Sequence, residues 1–145
     1  KVVVVSGYFN PLHCGHLDYL EDAAKYGDRL IVIVNNDDQV KIKESRSFMN
    51  QEDRARIVSA IGCVDEVFLS SDADETVVRS LEGIYEICRN RYSFESMVFA
   101  NGGDRNKENS PEEEYCTEEG IETVYNVGGK KSQSSSELLN NIKYF

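Results

Sequence analysis

Histidines, zinc-binding cysteine motifs and long apolar runs are all scarce in this sequence. The 145 residues include two histidines, and the four cysteines lack a Cys-x-x-Cys spacing. A zinc site needs more ligands than this, so no residue is predicted as a metal ligand. No apolar run approaches the ~20 residues of a membrane span, and no charged-then-apolar signal segment lies near the start. We expect a cytoplasmic protein with reduced, mostly buried thiols and without a membrane partner.

Basic residues are also in the minority. The chain has 16 lysines and arginines against 26 acidic residues, which leaves a net charge of −10. This charge would repel a nucleic-acid backbone, so nucleic acid is not an expected partner. The basic side chains nevertheless concentrate in residues 41–54 and at Lys130 and Lys131. An acidic body with a few cationic spots suits a small polyanion better than a polymer.

The most informative segment is residues 6–16, Ser-Gly-Tyr-Phe-Asn-Pro-Leu-His-Cys-Gly-His. An apolar run precedes it and an amphipathic stretch follows, an order that predicts strand, glycine turn and helix. A helix N-terminus offers unpaired N–H groups and partial positive charge, which favours phosphate binding. His13 and His16, at i and i+3, can both reach one anion. The segment therefore predicts nucleotide chemistry.

Two glycines and a cysteine in the same segment refine that hypothesis. Gly7 lets the backbone approach a ligand closely, and Gly15 leaves room between the two histidines. One alternative is a helix start that the histidines merely cap. The other is a chance metal pair with Cys14, which is disfavoured because the further ligands that zinc needs are missing.

Strands and helices alternate along the rest of the chain. Apolar runs predict strands over residues 2–5, 29–35, 64–69, 96–100 and 121–125. Helices are predicted over 15–26 and over 50–61 with Asn50 as cap. Further helices are predicted to residue 89, with Asp74 or a residue near it as cap, and after capping serines at Ser110 and Ser134. The alternation predicts one domain, residues 1–145, with an α/β Rossmann-like three-layer fold: a five-stranded parallel sheet with helices on both faces. Ligands bind beyond the carboxyl ends of such strands, where residues 6–16, 36–46, 101–105 and 126–136 fall.

The segment Gly-x-Phe-Asn-Pro-Leu-His-Cys-Gly-His resembles the signature of the cytidylyltransferase-like nucleotidyltransferases. The similarity extends through residues 27–32, 64–67, 101–104 and 134–136. The most similar groups are the heptose 1-phosphate adenylyltransferases and the glycerol-3-phosphate cytidylyltransferases. The resemblance implies transfer of a nucleoside monophosphate from a nucleoside triphosphate, ATP or CTP, to a small phosphorylated metabolite, with release of pyrophosphate. It also implies Mg²⁺ bound together with the triphosphate.

The resemblance further implies roles for individual residues. It places His13 and His16 against the triphosphate, as catalytic donors to oxygens that gain charge during transfer. It places a lysine on the same phosphates, and Lys43 is preferred over Lys41. The residues expected to bind the nucleotide are Gly7, Tyr8, Phe9, Asn10, Gly15, Asp104, Ser134, Ser135 and Ser136.

Arg46 and Arg54 match basic positions of the family, and the resemblance implies that they hold the phosphate of the acceptor. A guanidinium can bind a phosphate through two parallel hydrogen bonds. The alternative for Arg54 is an exposed helix charge paired with Asp53 or Glu52. For Asp104 the alternative is a glycine turn with an Asx contact, and for the serine run it is a helix cap.

Two departures from the family pattern leave the base and the acceptor open. Asn10-Pro11 replaces an aspartate-based pattern, and no arginine-threonine pair precedes the serine run, where Lys130 or Lys131 is the available cation. ATP is slightly preferred over CTP, because the overall pattern is nearer to the heptose enzymes. Besides a sugar or polyol phosphate transferase, two other functions are considered. One is an adenylyltransferase that makes a nicotinamide, flavin or pantetheine cofactor, and the other is a non-catalytic nucleotide sensor. A homodimer is considered as the oligomeric state.

Overall fold

The described residues form one sheet of five parallel strands. The residues that the computed structural model describes are 1–43, 46, 48–91, 93–103 and 105–129. The strands are β1 Val2–Gly7, β2 Arg29–Val34, β3 Glu66–Leu69, β4 Met97–Ala100 and β5 Glu122–Val124. Their order across the sheet is β3-β2-β1-β4-β5, and every neighbouring pair is parallel. The predicted five-stranded parallel sheet is confirmed.

Helices cover both faces of this sheet, as predicted. They are α1 Cys14–Ala24, α2 Asp37–Ile42, α3 Gln51–Ser59, α4 Val78–Arg89 and α5 Glu113–Glu119. Helices α1 and α3 share a core with Val3 and Val5, and α4 and α5 share the opposite core with Val2 and Val4. Successive side chains of a strand point to opposite faces, so an all-apolar strand such as β1 needs cover on both.

Helix α2 lies in the segment 36–46, which the sequence indicates only as a ligand-binding loop. A capping box begins it: the Asn36 side chain accepts the Gln39 N–H at 2.8 Å, and the Gln39 side chain accepts the Asn36 N–H at 3.0 Å. Gln39 also donates to the carbonyl oxygens of Asp74 and Thr76, both at 2.8 Å. The Asn-x-x-Gln spacing is a sequence signal for this helix start. Tertiary contacts of this kind stabilise a helix too short to form alone.

The start of α4 is stabilised by a carboxylate near Asp74 rather than by Asp74 itself. Asp74 does not cap this helix, because its Oδ1 accepts the N–H of Thr76 at 2.9 Å in the preceding turn. The buried carboxylate of Asp72 binds the N–H groups of Arg79 and Ser80 instead, at 2.8 and 2.9 Å. A carboxylate two residues earlier therefore stabilises the positive end of the helix.

The other predicted caps have mixed outcomes. Asn50 caps α3 as predicted, since its side chain accepts the N–H of Asp53 at 2.9 Å. Helix α5 begins at Glu113 without a side-chain cap, so the cap predicted at Ser110 is wrong. The helix predicted after Ser134 lies outside the described residues.

The strand order determines where a ligand can bind. Strand β1 lies in the centre, with β2 on one side and β4 on the other, so the direction of winding reverses between β1 and β4. In open α/β sheets the ligand crevice lies at the carboxyl ends of the strands beside such a reversal. The predicted site segment 6–16 follows β1, and residues 101–103 of the segment predicted after β4 follow that strand, so both begin at this position in the sheet.

The four cysteines are free thiols in different surroundings. Cys88 and Cys116 are buried, Cys63 is half-buried and Cys14 is exposed, so the expectation of mostly buried thiols holds for two of them. Burial, together with nearby glutamates, raises the pKa of the Cys116 thiol to about 12. Among the helices of the described residues, none is both long and apolar enough to span a membrane. The cytoplasmic location stays a prediction.

We expect Gly128→Ala to destabilise the protein more than Gly129→Ala. Both glycines have positive φ, +82° and +72°, a conformation that costs alanine roughly 1–2 kcal/mol. A Cβ on Gly128 would also lie 2.8 Å from the Cα of Tyr19 in α1, whereas one on Gly129 would meet no heavy atom of the described residues within 4 Å. Urea unfolding of both variants measures the difference, and equal losses would contradict this packing.

Candidate active site

The two histidines of the predicted site cap the helix on which they lie. His13 is the N-cap of α1, and its Nδ1 accepts the N–H of Gly15 at 3.1 Å. Nδ1 of His16 accepts the N–H of His13, also at 3.1 Å. These bonds form a capping box, so the capped helix start that the sequence left as an alternative is present. The two rings stack with centroids 3.9 Å apart.

The cap also sets the tautomer of both histidines. Because each Nδ1 accepts an N–H group, the proton of the neutral ring lies on Nε2. Each Nε2–H is a donor on the side of the ring opposite to the backbone bond. The two rings stack against each other, and the Nε2 atom of His13 is buried.

Phe9 fills the space that the sequence assigns to a ligand at Gly7. The Phe9 side chain is 1% exposed, and a Cβ on Gly7 would lie 2.9 Å from its Cζ. The same ring contacts the His16 ring edge-on, with centroids 4.9 Å apart. The Phe9 ring therefore packs between Gly7 and His16 and supports His16, and the nucleotide contacts of Gly7 and Phe9 stay predictions.

Asn10 has a comparable supporting role. It is buried, and its amide donates to the carbonyl oxygen of Arg46 at 2.8 Å. Its Oδ1 accepts the N–H groups of Phe48 and Met49 at 2.7 and 3.3 Å. The predicted nucleotide contact of Asn10 is thus replaced by bonds that hold the segment before α3 against the loop after β1.

The structure separates the two candidate lysines. Lys43 is the C-cap of α2, and its Nζ lies 4.4 Å from the centroid of the Tyr8 ring. Lys41 instead lies on the exposed side of the same helix, with its Nζ 3.9 Å from Oδ1 of Asp38. Lys43 is therefore the lysine that reaches the loop after β1, as preferred from the sequence.

Tyr8 lies among charged groups that the sequence does not single out. Burial raises the pKa of the Tyr8 hydroxyl, and the Glu75 carboxylate raises it further, while Arg105 and Arg54 act in the opposite direction. The hydroxyl is therefore a neutral donor at physiological pH. The sequence offers a way to predict Arg105 at the site, because this residue directly follows the Asn-Gly-Gly-Asp segment. It offers no such pattern for Glu75.

Arg54 is enclosed by the protein. Its side chain is 0% exposed, and its Nη2 donates to Oδ1 of Asp37 at 2.7 Å. Its Nη1 donates to the carbonyl oxygens of Tyr8 and Asn35 at 2.8 and 2.7 Å. Its Nε donates to the carbonyl oxygen of Met49 at 3.0 Å. These contacts replace the predicted bond to an acceptor phosphate, and they also replace the alternative of an exposed pair within α3.

The segments after β4 and β5 meet at the same edge of the sheet. The carbonyl oxygen of Asn101 accepts the N–H of Val127 at 3.0 Å. Helix α1 reaches this edge too, because the Asp22 carboxylate accepts the N–H of Gly128 at 2.8 Å. The predicted convergence of the segments after β1, β2, β4 and β5 is confirmed for their described residues.

The predicted roles of Gly15 in nucleotide binding and of Arg46 in acceptor binding stay predictions. Gly15 lies in the first turn of α1, where its N–H donates to His13, and the Arg46 side chain is exposed. Residues that lie outside the described ones are Asp104, Lys130, Lys131, Ser134, Ser135 and Ser136.

Comparisons with known proteins show which sequences and structures this chain is similar to. The sequence model of the cytidylyltransferase-like family matches residues 4–129. The bifunctional protein HldE of Haemophilus influenzae is 38% identical over 112 residues, which are 72% of this chain and 24% of that protein. An FAD synthase of Thermococcus kodakarensis is 43% identical over 70 residues, 48% of this chain and 47% of that protein. The chain thus spans about a quarter of this HldE protein and about half of this FAD synthase.

Solved structures share the fold. A lipopolysaccharide core biosynthesis protein from Thermoplasma volcanium superposes with a TM-score of 0.66 at 21% identity, covering 86% of this chain and 93% of that one. A putative nicotinate-nucleotide adenylyltransferase from Vibrio parahaemolyticus gives 0.65 at 20% identity, covering 99% and 87%. The similarity extends along nearly the whole chain.

We expect Arg54→Met to lower the free energy of unfolding by about 3–5 kcal/mol, the usual cost of removing one partner of a buried ion pair. The variant would remove the charged donor from Asp37 and from the carbonyl groups of Tyr8, Asn35 and Met49. Arg56→Met is a matched control, because Arg56 is exposed on the same helix and surface changes cost less than about 0.5 kcal/mol. Denaturant unfolding of both variants tests this, and similar small losses would contradict it.

Proposed function

The chain belongs to the cytidylyltransferase-like family, and on that premise we propose that it transfers a nucleoside monophosphate from ATP or CTP to a small phosphorylated acceptor. The observation that carries the proposal is the stacked pair of histidines at the start of α1. Their Nδ1 atoms are used by the helix cap, which sets both Nε2–H groups as donors. The pair lies beside the reversal of strand order, where open α/β sheets bind ligands.

The reaction needs donors rather than a strong base. A phosphate oxygen of the acceptor attacks the α-phosphorus of the triphosphate, a new P–O bond forms, and the bond to pyrophosphate breaks. Negative charge grows on the α-phosphoryl oxygens and on the leaving pyrophosphate. His13, His16 and Lys43 supply donors for this charge, and the N-terminus of α1 adds partial positive charge. The cap holds both imidazoles in place before the charge develops.

Mg²⁺ belongs to the proposal as a companion of the triphosphate. Within the described residues, no group of three or more His, Cys, Asp or Glu side chains is placed to hold a metal ion. In sites that bind nucleoside triphosphates, Mg²⁺ is usually held by phosphate oxygens, water and one or two carboxylates. The ion would offset phosphate charge when bound.

A sugar or polyol phosphate is the proposed acceptor, and ATP is preferred slightly over CTP. The signature segment supports this choice through its resemblance to enzymes of that class. The match to HldE covers 72% of this chain, more than the 48% covered by the FAD synthase match. Arg46 and Arg105 are the candidate cations for the acceptor phosphate. The Arg46 side chain is exposed, and the Arg105 charge is near enough to Tyr8 to lower the pKa of its hydroxyl.

A cofactor-forming adenylyltransferase is the second candidate. The 43% identity to an FAD synthase favours it. A flavin or nicotinamide acceptor needs an aromatic surface for stacking, and Phe48 offers one. Its side chain is 48% exposed, and its N–H is bound by Asn10 of the loop after β1.

A screen for pyrophosphate release tests both candidates. ATP and CTP, each with Mg²⁺, are combined with sugar phosphates, polyol phosphates, flavin mononucleotide, nicotinamide mononucleotide and phosphopantetheine. Release with a sugar or polyol phosphate is the expected result. Release with a cofactor precursor alone selects the second candidate, and tight binding of a triphosphate without any release indicates a nucleotide sensor.

We expect His16→Ala and His16→Asn to lower kcat by about 10²–10³, the usual cost of removing a donor aimed at developing charge. Triphosphate affinity should change much less. His16→Asn separates catalysis from folding, because its side-chain oxygen can still accept the N–H of His13 and keep the helix cap. Steady-state kinetics and thermal unfolding measure the two effects. A loss of affinity with kcat unchanged would contradict the role of His16.

A further inference from the structure

A closed series of contacts links Arg54 to Lys43. Arg54 donates to the carbonyl oxygen of Tyr8 at 2.8 Å and to Oδ1 of Asp37 at 2.7 Å. Asp37 is the first residue of α2, and Lys43 is the C-cap of that helix. The Nζ of Lys43 returns to the Tyr8 ring, 4.4 Å from its centroid. The series therefore begins and ends at Tyr8.

The start of α2 is held on both sides of the Asp37 carboxylate. While Oδ1 accepts from Arg54, Oδ2 accepts the N–H of Gln51 at 3.2 Å. The N–H of Asp37 donates in turn to Oε1 of Gln51 at 3.0 Å. A helix of six residues is only about 9 Å long, so a held first residue leaves little freedom for the position of the last.

We propose that Arg54 and Asp37 are positioning residues, which act through α2 to hold the ammonium group of Lys43 at the loop after β1. This inference rests on the proposed function, in which Lys43 binds the triphosphate. A lysine ammonium lies on a flexible four-carbon stem, and donors act best when they are in place before charge develops. The buried cation therefore supports catalysis without touching a substrate.

Helix α2 also contains a second acidic residue, Asp38, that serves as a control for Asp37. Asp38 and Lys41 form an i,i+3 pair at 3.9 Å, with side chains 85% and 80% exposed. Exposed pairs of this kind contribute little to stability. Asp38→Asn therefore removes the same charge from the same helix as Asp37→Asn, and it leaves the partners of Arg54 in place.

The test is a double-mutant cycle between Asp37→Asn and Lys43→Met. Asparagine in place of Asp37 must turn an NH₂ group towards one of two donors, the Arg54 guanidinium or the Gln51 N–H, so the anchor weakens. The measurement is kcat/KM for the triphosphate, from pyrophosphate release, on variants whose folding is verified by denaturant unfolding. Asp38→Asn is carried through the same measurements.

Positioning through Lys43 predicts a non-additive cycle. We expect Lys43→Met to lower kcat/KM about 100-fold and Asp37→Asn to lower it about tenfold. The double variant should lose no more than Lys43→Met alone, within about twofold, and Asp38→Asn should match the wild type. The inference is overturned if Asp37→Asn costs the same factor with and without Lys43, or if Lys43→Met leaves kcat/KM unchanged.

Arg54→Lys serves as the second variant if Asp37→Asn does not fold. Lysine keeps the positive charge but lacks the fork that joins Tyr8 and Asp37, so the same non-additive cycle is expected. Failure of the proposed function has a separate signature, since the wild type would then neither bind nor consume ATP or CTP with Mg²⁺. An active wild type with an additive cycle overturns the positioning role alone.

Discussion

The buried guanidinium of Arg54 is the interaction on which the arrangement of the site depends. A cation in the protein interior is costly unless it is paired and hydrogen-bonded throughout. Here bonds to Tyr8, Asn35, Asp37 and Met49 offset that cost. The four partners come from the loop after β1, the end of β2, the start of α2 and the segment before α3. One side chain thus joins the loop after β1 to three neighbouring segments.

The histidine pair shows how the same side chains serve folding and chemistry. The Nδ1 atoms of His13 and His16 bind backbone N–H groups that a helix start would otherwise leave to solvent. This use sets the tautomer, and the tautomer makes each Nε2 a donor. The cap and the proposed phosphate contact are therefore compatible, because they use different atoms of the same rings. The Phe9 ring, which packs on Gly7, also contacts the His16 ring edge-on and supports it.

The features predicted correctly are those that depend on neighbours within a few residues. The apolar run of β1 predicts a strand covered on both faces, and Asn50 caps α3 as its spacing indicates. The start of α4 is different. Both Asp72 and Asp74 precede this helix, and Asp72 caps it because it is buried beside Ser80. The local sequence predicts a carboxylate at or near residue 74 for this helix start, but it does not show which of the two is buried.

By itself, the sequence determined the alternation of strands and helices, the parallel sheet and the histidine pair at a helix start. Only the tertiary structure decided which basic residues reach the site. Lys43 lies over Tyr8, while Arg54 turns inward to partners 17 and 46 residues away in the chain. The physical reason is that the local pattern of apolar and polar residues reflects which side chains a strand or helix buries. The carbonyl or carboxylate that a long charged side chain meets depends on how distant segments pack.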